Sequence, residues 1–126
     1  MVESLFKVLV VDDDKAVREV CAEALAYEGY DVTVASGGWD ALGLINGREW
    51  DLIVTDINMP GLDGIDFYRA ATSCAPALKG KFVFMTGNPA SARTVEEMGY
   101  RVVIKPFKVK DLLEAVWSVL KATDAN

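Results

Sequence analysis

Five short runs of apolar, largely β-branched residues punctuate the chain: Leu5–Val11, Val32–Ala35, Leu52–Thr55, Lys81–Met85 and Val102–Ile104. Their apolar character is continuous, not alternating, which predicts strands buried on both faces. Helical spacing fills the intervals. It is clearest at Val17, Val20, Cys21, Ala24 and Leu25, ahead of Gly29, and at Leu112, Leu113, Val116, Val119 and Leu120. Weaker helical patterns cover Trp39–Asn46, Leu62–Ser73 and Ser91–Met98. Strands therefore alternate with helices five times, without repeat, low-complexity tract or linker. That order predicts an α/β fold: a mostly parallel sheet, right-handed crossovers and helices on both faces.

In such sheets ligands bind beyond the carboxyl ends of the strands. The strongly polar residues of the pattern fall there. Asp12 and Asp13 follow the first strand, Asp56 the third, Thr86 the fourth and Lys105 the fifth.

Composition narrows the chemistry. At 126 residues, 52% hydrophobic and 25% charged, the chain is expected to form one globular domain spanning 1–126. A net charge of -6 argues against direct nucleic-acid binding, which needs clustered Lys and Arg. The absence of histidine removes the usual zinc sites, the Ser-His and Cys-His nucleophile pairs and any phosphohistidine of the chain's own. Cys21 and Cys74 form neither a metal-ligand spacing nor a disulfide framework. Both are expected to be small core-facing residues, and their usage fits a reducing, cytoplasmic setting. The run Leu5–Val11 is too short to span a bilayer and ends in three aspartates, so no membrane partner is expected.

If the first and third strands are neighbours, Asp12, Asp13 and Asp56 converge. Two such charges about 4 Å apart repel by roughly 4 kcal/mol at an effective dielectric near 20, and a divalent cation resolves the conflict. A few oxygen ligands at an open strand edge suit Mg²⁺ that keeps several waters and shares a phosphoryl oxygen. Phosphoryl transfer is the chemistry implied, with Asp56 as nucleophile and Lys105 and the Thr86 hydroxyl on the remaining oxygens. Any one acid after a strand is commonly a helix cap, but three at adjacent ends are not explained that way. Asp14 is itself expected to be the cap of the first helix. Gly61 and Gly64 are expected to supply backbone freedom in the loop after Asp56. Trp39, Trp50 and Trp117 are read as partly buried packing residues.

Other classes fare worse. A flavin carrier would bind phosphate in the loop after the first strand, where three aspartates repel it. A calcium loop starting at Asp56 would place Phe67 where a bidentate Glu is needed. A haloacid-dehalogenase-type phosphatase typically has a second aspartate where Asn58 stands.

Four motifs give the chain a specific resemblance to the receiver domains of two-component response regulators along essentially its whole length: Val10–Asp14, Asp56–Gly64, Met85–Gly87 and Lys105–Phe107. The resemblance implies a doubly wound, flavodoxin-like sheet of order 2-1-3-4-5 flanked by five helices. It implies Asp56 as phosphoacceptor, and Asp13, Asp56 and the Asn58 main-chain carbonyl as Mg²⁺ ligands, with Asp12 acting through metal-bound water. Thr86 resembles the family's switch hydroxyl, and Lys105 its phosphate-contacting lysine, held by a cis bond to Pro106. A sensor histidine kinase or histidine phosphotransfer protein would be the donor, and a downstream effector the recipient. The rival within the family is an interaction module whose output does not depend on phosphorylation. Two departures bear on output. Val102 stands where members usually carry Tyr or Phe, and the segment between Thr86 and Lys105 is short, predicting a short or irregular fourth helix. Activation is therefore expected to disturb the loops after strands three and four and to leave the fifth strand and last helix largely unmoved. Tyr100, on the same side of the strand but further from the site, is the remaining candidate for the aromatic's role.

Overall fold

The computed structural model describes residues 5–124, with side chains through residue 122; the expected domain limits, 1 and 126, lie outside the described residues. Five strands, β1 (Lys7–Val11), β2 (Asp31–Ala35), β3 (Leu52–Asp56), β4 (Phe82–Thr86) and β5 (Arg101–Ile104), alternate with five helices. The helices are α1 (Lys15–Tyr27), α2 (Gly38–Ile45), α3 (Gly64–Cys74), α4 (Pro89–Glu97) and α5 (Val109–Asp124), and a 3-10 turn at Pro76–Leu78 follows α3. All strand pairs are parallel, in the order β2-β1-β3-β4-β5.

The continuous apolar runs are explained by two cores, one on each face. Alternate residues point opposite ways along a strand. Leu9, Val11, Ile53, Phe82 and Phe84 face one side, with Phe67 and Ala71 of α3, Ala41 and Ile45 of α2 and Val95 of α4. Val8, Val10, Leu52, Val54, Val83 and Met85 face the other, with Cys21 and Leu25 of α1 and Leu112, Val116 and Leu120 of α5. β3 and β4 are buried along their whole length.

Strand boundaries differ from the sequence pattern by one residue, or by two at the start of β1. Asp56 and Thr86 belong to β3 and β4, because pairing continues past the apolar run: Asp56 is opposite Met85, and Thr86 opposite Ile104. Asp14 caps α1, its Oδ1 accepting from the N–H groups of Ala16 at 2.9 Å and Val17 at 3.3 Å. α4 is short, as expected, but regular. Three side chains depart from expectation. Cys74 is exposed, because it ends α3 and the core there is closed instead by Ala75 and Leu78. Trp50 is buried, but Trp39 is 66% and Trp117 50% exposed, since Gly38, Ala41 and Ile45 form the inner face of α2, and Leu112, Val116 and Leu120 that of α5.

Gly61 has φ +78 and supplies the backbone freedom expected of it, but Gly64 serves a different purpose. A Cβ at Gly64 would lie 2.2 Å from the Asp56 carbonyl oxygen, so α3 starts hard against the end of β3. Gly43 in α2 has open space instead. Gly64→Ala is expected to destabilise by about 2–3 kcal/mol and lower the melting temperature by about 8–15 °C, whereas Gly43→Ala should gain about 0.5–1 kcal/mol. Thermal unfolding followed by circular dichroism checks both signs.

Candidate functional site

The sheet register builds the site. Val11 is opposite Thr55, which sets Asp12 beside Asp56 across the β1–β3 pair; β4 then presents Thr86 and β5 leads into Lys105. Further ties fix the end of β1. The Asp12 N–H donates to Ala35 O at 3.2 Å, and the Arg18 guanidinium of α1 donates to the Asp12 carbonyl at 2.7 Å.

Carboxylate oxygens of Asp12, Asp13 and Asp56 all lie within 4.8 Å of one another. Asp12 is fully buried, Asp56 is 5% exposed and Asp13 is exposed. Lys105 Nζ reaches Asp12 Oδ2 at 2.8 Å and Asp56 Oδ1 at 3.3 Å. The Lys105–Pro106 bond is cis. One ammonium thus bridges two of the three carboxylates. Burial and the neighbouring Asp12 charge push the Asp56 carboxyl up from 3.8 to about 6, against the opposing pull of Lys105. Burial alone disfavours the Lys105 ammonium, but its contacts with Asp12 and Asp56 outweigh this and hold it above the ordinary lysine range.

Thr86 is fully buried, and its Oγ1 donates to Asn58 Oδ1 at 2.6 Å. The structure therefore draws together Asp12, Asp13, Asp56 and Lys105 in one cluster, with Thr86 and Asn58 joined as a pair of their own. Sequence reasoning missed Arg18, Asn88 and Ser91. The Asn88 N–H donates to Thr86 Oγ1 at 3.0 Å, and Asn58 Nδ2 donates to Ser91 Oγ at 3.3 Å. Nothing in the spacing marks Ser91, whose partner Asn58 lies on another segment, whereas Asn88, directly before Pro89, carries the local signal of a helix N-cap that the sequence reading passed over.

The donor set fits a hard divalent cation. It consists of oxygens alone, it carries two negative charges beyond what Lys105 neutralises, and the Asp56 carboxyl is raised by burial first and by the Asp12 charge second.

A doubly wound sheet of this strand order, with its polar residues at the carboxyl edge, defines the flavodoxin-like class to which the chemotaxis regulators belong. The chain belongs to the response regulator receiver domain family, whose profile matches residues 8–117. It is 33% identical over 123 residues to the response regulator MprA of Mycobacterium sp. (strain KMS), covering 95% of this chain and 53% of that protein, so it spans about half the length of that relative. It is 34% identical over 119 residues to the response regulator receiver protein CpdR of Brucella abortus, covering 92% of this chain and 98% of that one. The structure of the Vibrio cholerae chemotaxis protein CheY4 superposes with a TM-score of 0.83 at 29% identity, covering 93% of this chain and 100% of that one. Among the described residues no helix is long and apolar enough to cross a membrane.

The Asp56 shift has a sign that can be measured. Between 3.8 and about 6 the unfolded chain has released the Asp56 proton while the folded chain keeps it, so the group's contribution to stability falls as pH rises through that window and stays low above it. Asp56→Asn should raise stability at pH 7.5 by on the order of 2–3 kcal/mol and change it little below about pH 4. Denaturant unfolding in the presence of chelator checks this; an equal effect at both pH values contradicts it.

Proposed function

We propose that this receiver domain accepts a phosphoryl group onto Asp56, in a Mg²⁺-dependent transfer from the phosphohistidine of a sensor histidine kinase or histidine phosphotransfer protein, and signals its state to a downstream effector. The observation that supports this most directly is the Asp56 carboxylate itself. It sits at the end of the central strand, nearly buried, with Lys105 Nζ at 3.3 Å and the Asp12 and Asp13 carboxylates within 4.8 Å.

In this reading an Asp56 carboxylate oxygen forms the new P–O bond as the donor's P–N bond breaks, and the electron pair returns to the imidazole nitrogen. Asp12, Asp13, Asp56 and the Asn58 carbonyl would hold Mg²⁺. When bound, the ion offsets the charge between carboxylate and phosphoryl group. Lys105, already oriented by Asp12, supplies a fixed positive charge to a phosphoryl oxygen, and the Thr86 hydroxyl can donate to another. Burial of Asp12, Asp56 and Thr86 keeps bulk water from competing for those contacts. The domain acts on itself alone: the aspartyl phosphate is a mixed anhydride whose loss resets it.

Two measurements test this reading. With acetyl phosphate and Mg²⁺, intact mass should show one phosphoryl group added to the wild-type chain and none to Asp56→Asn; undiminished addition to the variant contradicts the assignment. Mg²⁺ at about tenfold above its dissociation constant should stabilise the fold by roughly 1.4 kcal/mol, a melting shift of about 4–8 °C. Asp13→Asn should raise the melting temperature in chelator and flatten the Mg²⁺ response. An unchanged response would make the acids helix caps.

A further inference from the structure

Of the three acids that converge at the carboxyl edge, two are held through their side chains. Asp12 Oδ2 accepts from Lys105 Nζ at 2.8 Å, and Asp56 Oδ1 lies 3.3 Å from the same nitrogen. Asp13 has no such hold: it is exposed, and among the described residues no hydrogen bond or ion pair restrains its carboxylate. Yet that carboxylate lies within 4.8 Å of both others, where like-charge repulsion drives it outward. The main chain is what keeps it there. A peptide unit is planar, so fixing its carbonyl or its N–H fixes the whole plane. Both planes that flank the Asp13 Cα are fixed in this way. The Asp13–Asp14 unit is pinned by the Asp14 N–H, which donates to Asp12 Oδ1 at 2.9 Å. The Asp12–Asp13 unit is pinned by its carbonyl, which accepts from Arg18 Nη1 at 2.7 Å.

Arg18 is itself anchored. It lies in the first turn of α1, its own N–H donates to the Asp14 carbonyl at 2.9 Å, and Asp14 caps that helix. Its side chain is half-buried in a hollow shared with Ser36 and Asp40, and its bond to the Asp12 carbonyl is charge-assisted, a kind stronger than a neutral one.

We propose that Arg18, although it pairs with none of the three carboxylates, sets the geometry of the divalent-cation site through the Asp12–Asp13 peptide, and with it the preference of that site for Mg²⁺ over the larger Ca²⁺. The inference rests on the reading of Asp12, Asp13 and Asp56 as a Mg²⁺ site, and Arg18 is a positioning residue in it. Mg²⁺ demands near-ideal octahedral placement of its ligands, whereas Ca²⁺ tolerates irregular sets at longer distances, so a loosened Asp13 weakens Mg²⁺ more. Charge acts differently. A guanidinium beside the site repels any divalent cation, and its removal strengthens the binding of both ions alike, since they carry the same charge. The ratio of the two affinities therefore isolates the geometry.

The test uses the full chain at constant ionic strength, with dissociation constants for Mg²⁺ and for Ca²⁺ read from the amide chemical shifts of residues 12, 13 and 56–58. Arg18→Met keeps an apolar stem and removes every donor. Arg18→Gln, a second variant should Arg18→Met fold poorly, keeps polarity but is too short to reach the Asp12 carbonyl. In both, the preference for Mg²⁺ over Ca²⁺ should fall about three- to tenfold, a part of the roughly tenfold or more that a hydrogen bond from a charged group is worth. Because the contact is made by one nitrogen, Arg18→Lys keeps a cationic donor of similar reach and should hold the preference within about twofold of the wild type. An unchanged preference in Arg18→Met and Arg18→Gln overturns the inference, even if both affinities rise together, because a role in charge or in folding alone leaves the ratio where it was. A loss in Arg18→Lys as large as in Arg18→Met also overturns it, since the donor then does not matter. A wild-type chain whose signals respond to neither ion overturns the metal reading itself, and the inference with it.

Discussion

Three carboxylates and one ammonium crowd the ends of two neighbouring strands, and the remainder of the molecule is organised around that imbalance. Asp12 is fully buried yet satisfied, since Lys105 takes one carboxylate oxygen at 2.8 Å and the Asp14 N–H the other at 2.9 Å. Asp56 shares the same lysine at a longer distance, and burial, with the Asp12 charge added, drives its carboxyl to about 6. A fold bears such a local penalty only where the surrounding structure is rigid enough to hold it. Here rigidity comes from two fully buried strands, from the Arg18 tie to the Asp12 carbonyl and from the close approach of α3 at Gly64. A divalent cation relieves this imbalance, whereas a phosphoryl group adds negative charge and so would depend on the cation and on Lys105.

The two faces of the sheet divide the labour. On the α1 and α5 face, aliphatic side chains pack around Cys21, whose thiol is pushed up to about 12 by burial and by Asp12, so it is an inert packing group. On the other face, Tyr68, Phe82, Phe84 and Tyr100 form an aromatic cluster, and burial and the bond to Tyr100 push the Tyr68 hydroxyl up to about 12. Aromatic pairs of this kind contribute about 0.5–1.5 kcal/mol each beyond simple burial. They stiffen the β4–β5 region at the end remote from Asp56. The polar circuit of Thr86, Asn58, Asn88 and Ser91 lies at the other end, where hydrogen bonds can exchange without disturbing a packed core.

Strand and helix order was legible because residues buried on both faces leave an uninterrupted apolar run, a signal that composition noise does not erase. The order of the strands was not: periodicity says nothing of which strands are neighbours, and it came from the motifs after Val11, Thr55, Met85 and Ile104. The same motifs marked Asp12, Asp13, Asp56, Thr86 and Lys105 for the site, and the structure clusters all but Thr86, which pairs with Asn58. The limits of the reading are equally physical. Cys74 was expected in the core as a small residue without metal or disulfide spacing, but falls where α3 ends and Leu78 takes over the core. Trp39 and Trp117 looked inward by size, yet the inner faces of their helices are filled by smaller neighbours. Ser91 was invisible because its partner, Asn58, is chosen by tertiary placement, on which local pattern is silent, while Asn88 is a local N-cap that was overlooked.

The central claim is that burial and the Asp12 charge together raise the Asp56 carboxyl and that a divalent cation brings it down again. Titration of the aspartate side-chain carboxyl carbons by NMR, in chelator and then in Mg²⁺, tests this most directly. The account predicts one carboxyl titrating near 6 in chelator, assigned to Asp56 by its loss in Asp56→Asn, and moving to markedly lower pH when Mg²⁺ is added. An Asp56 carboxyl that titrates in the ordinary aspartate range near 3.8, and does not respond to Mg²⁺, would contradict it.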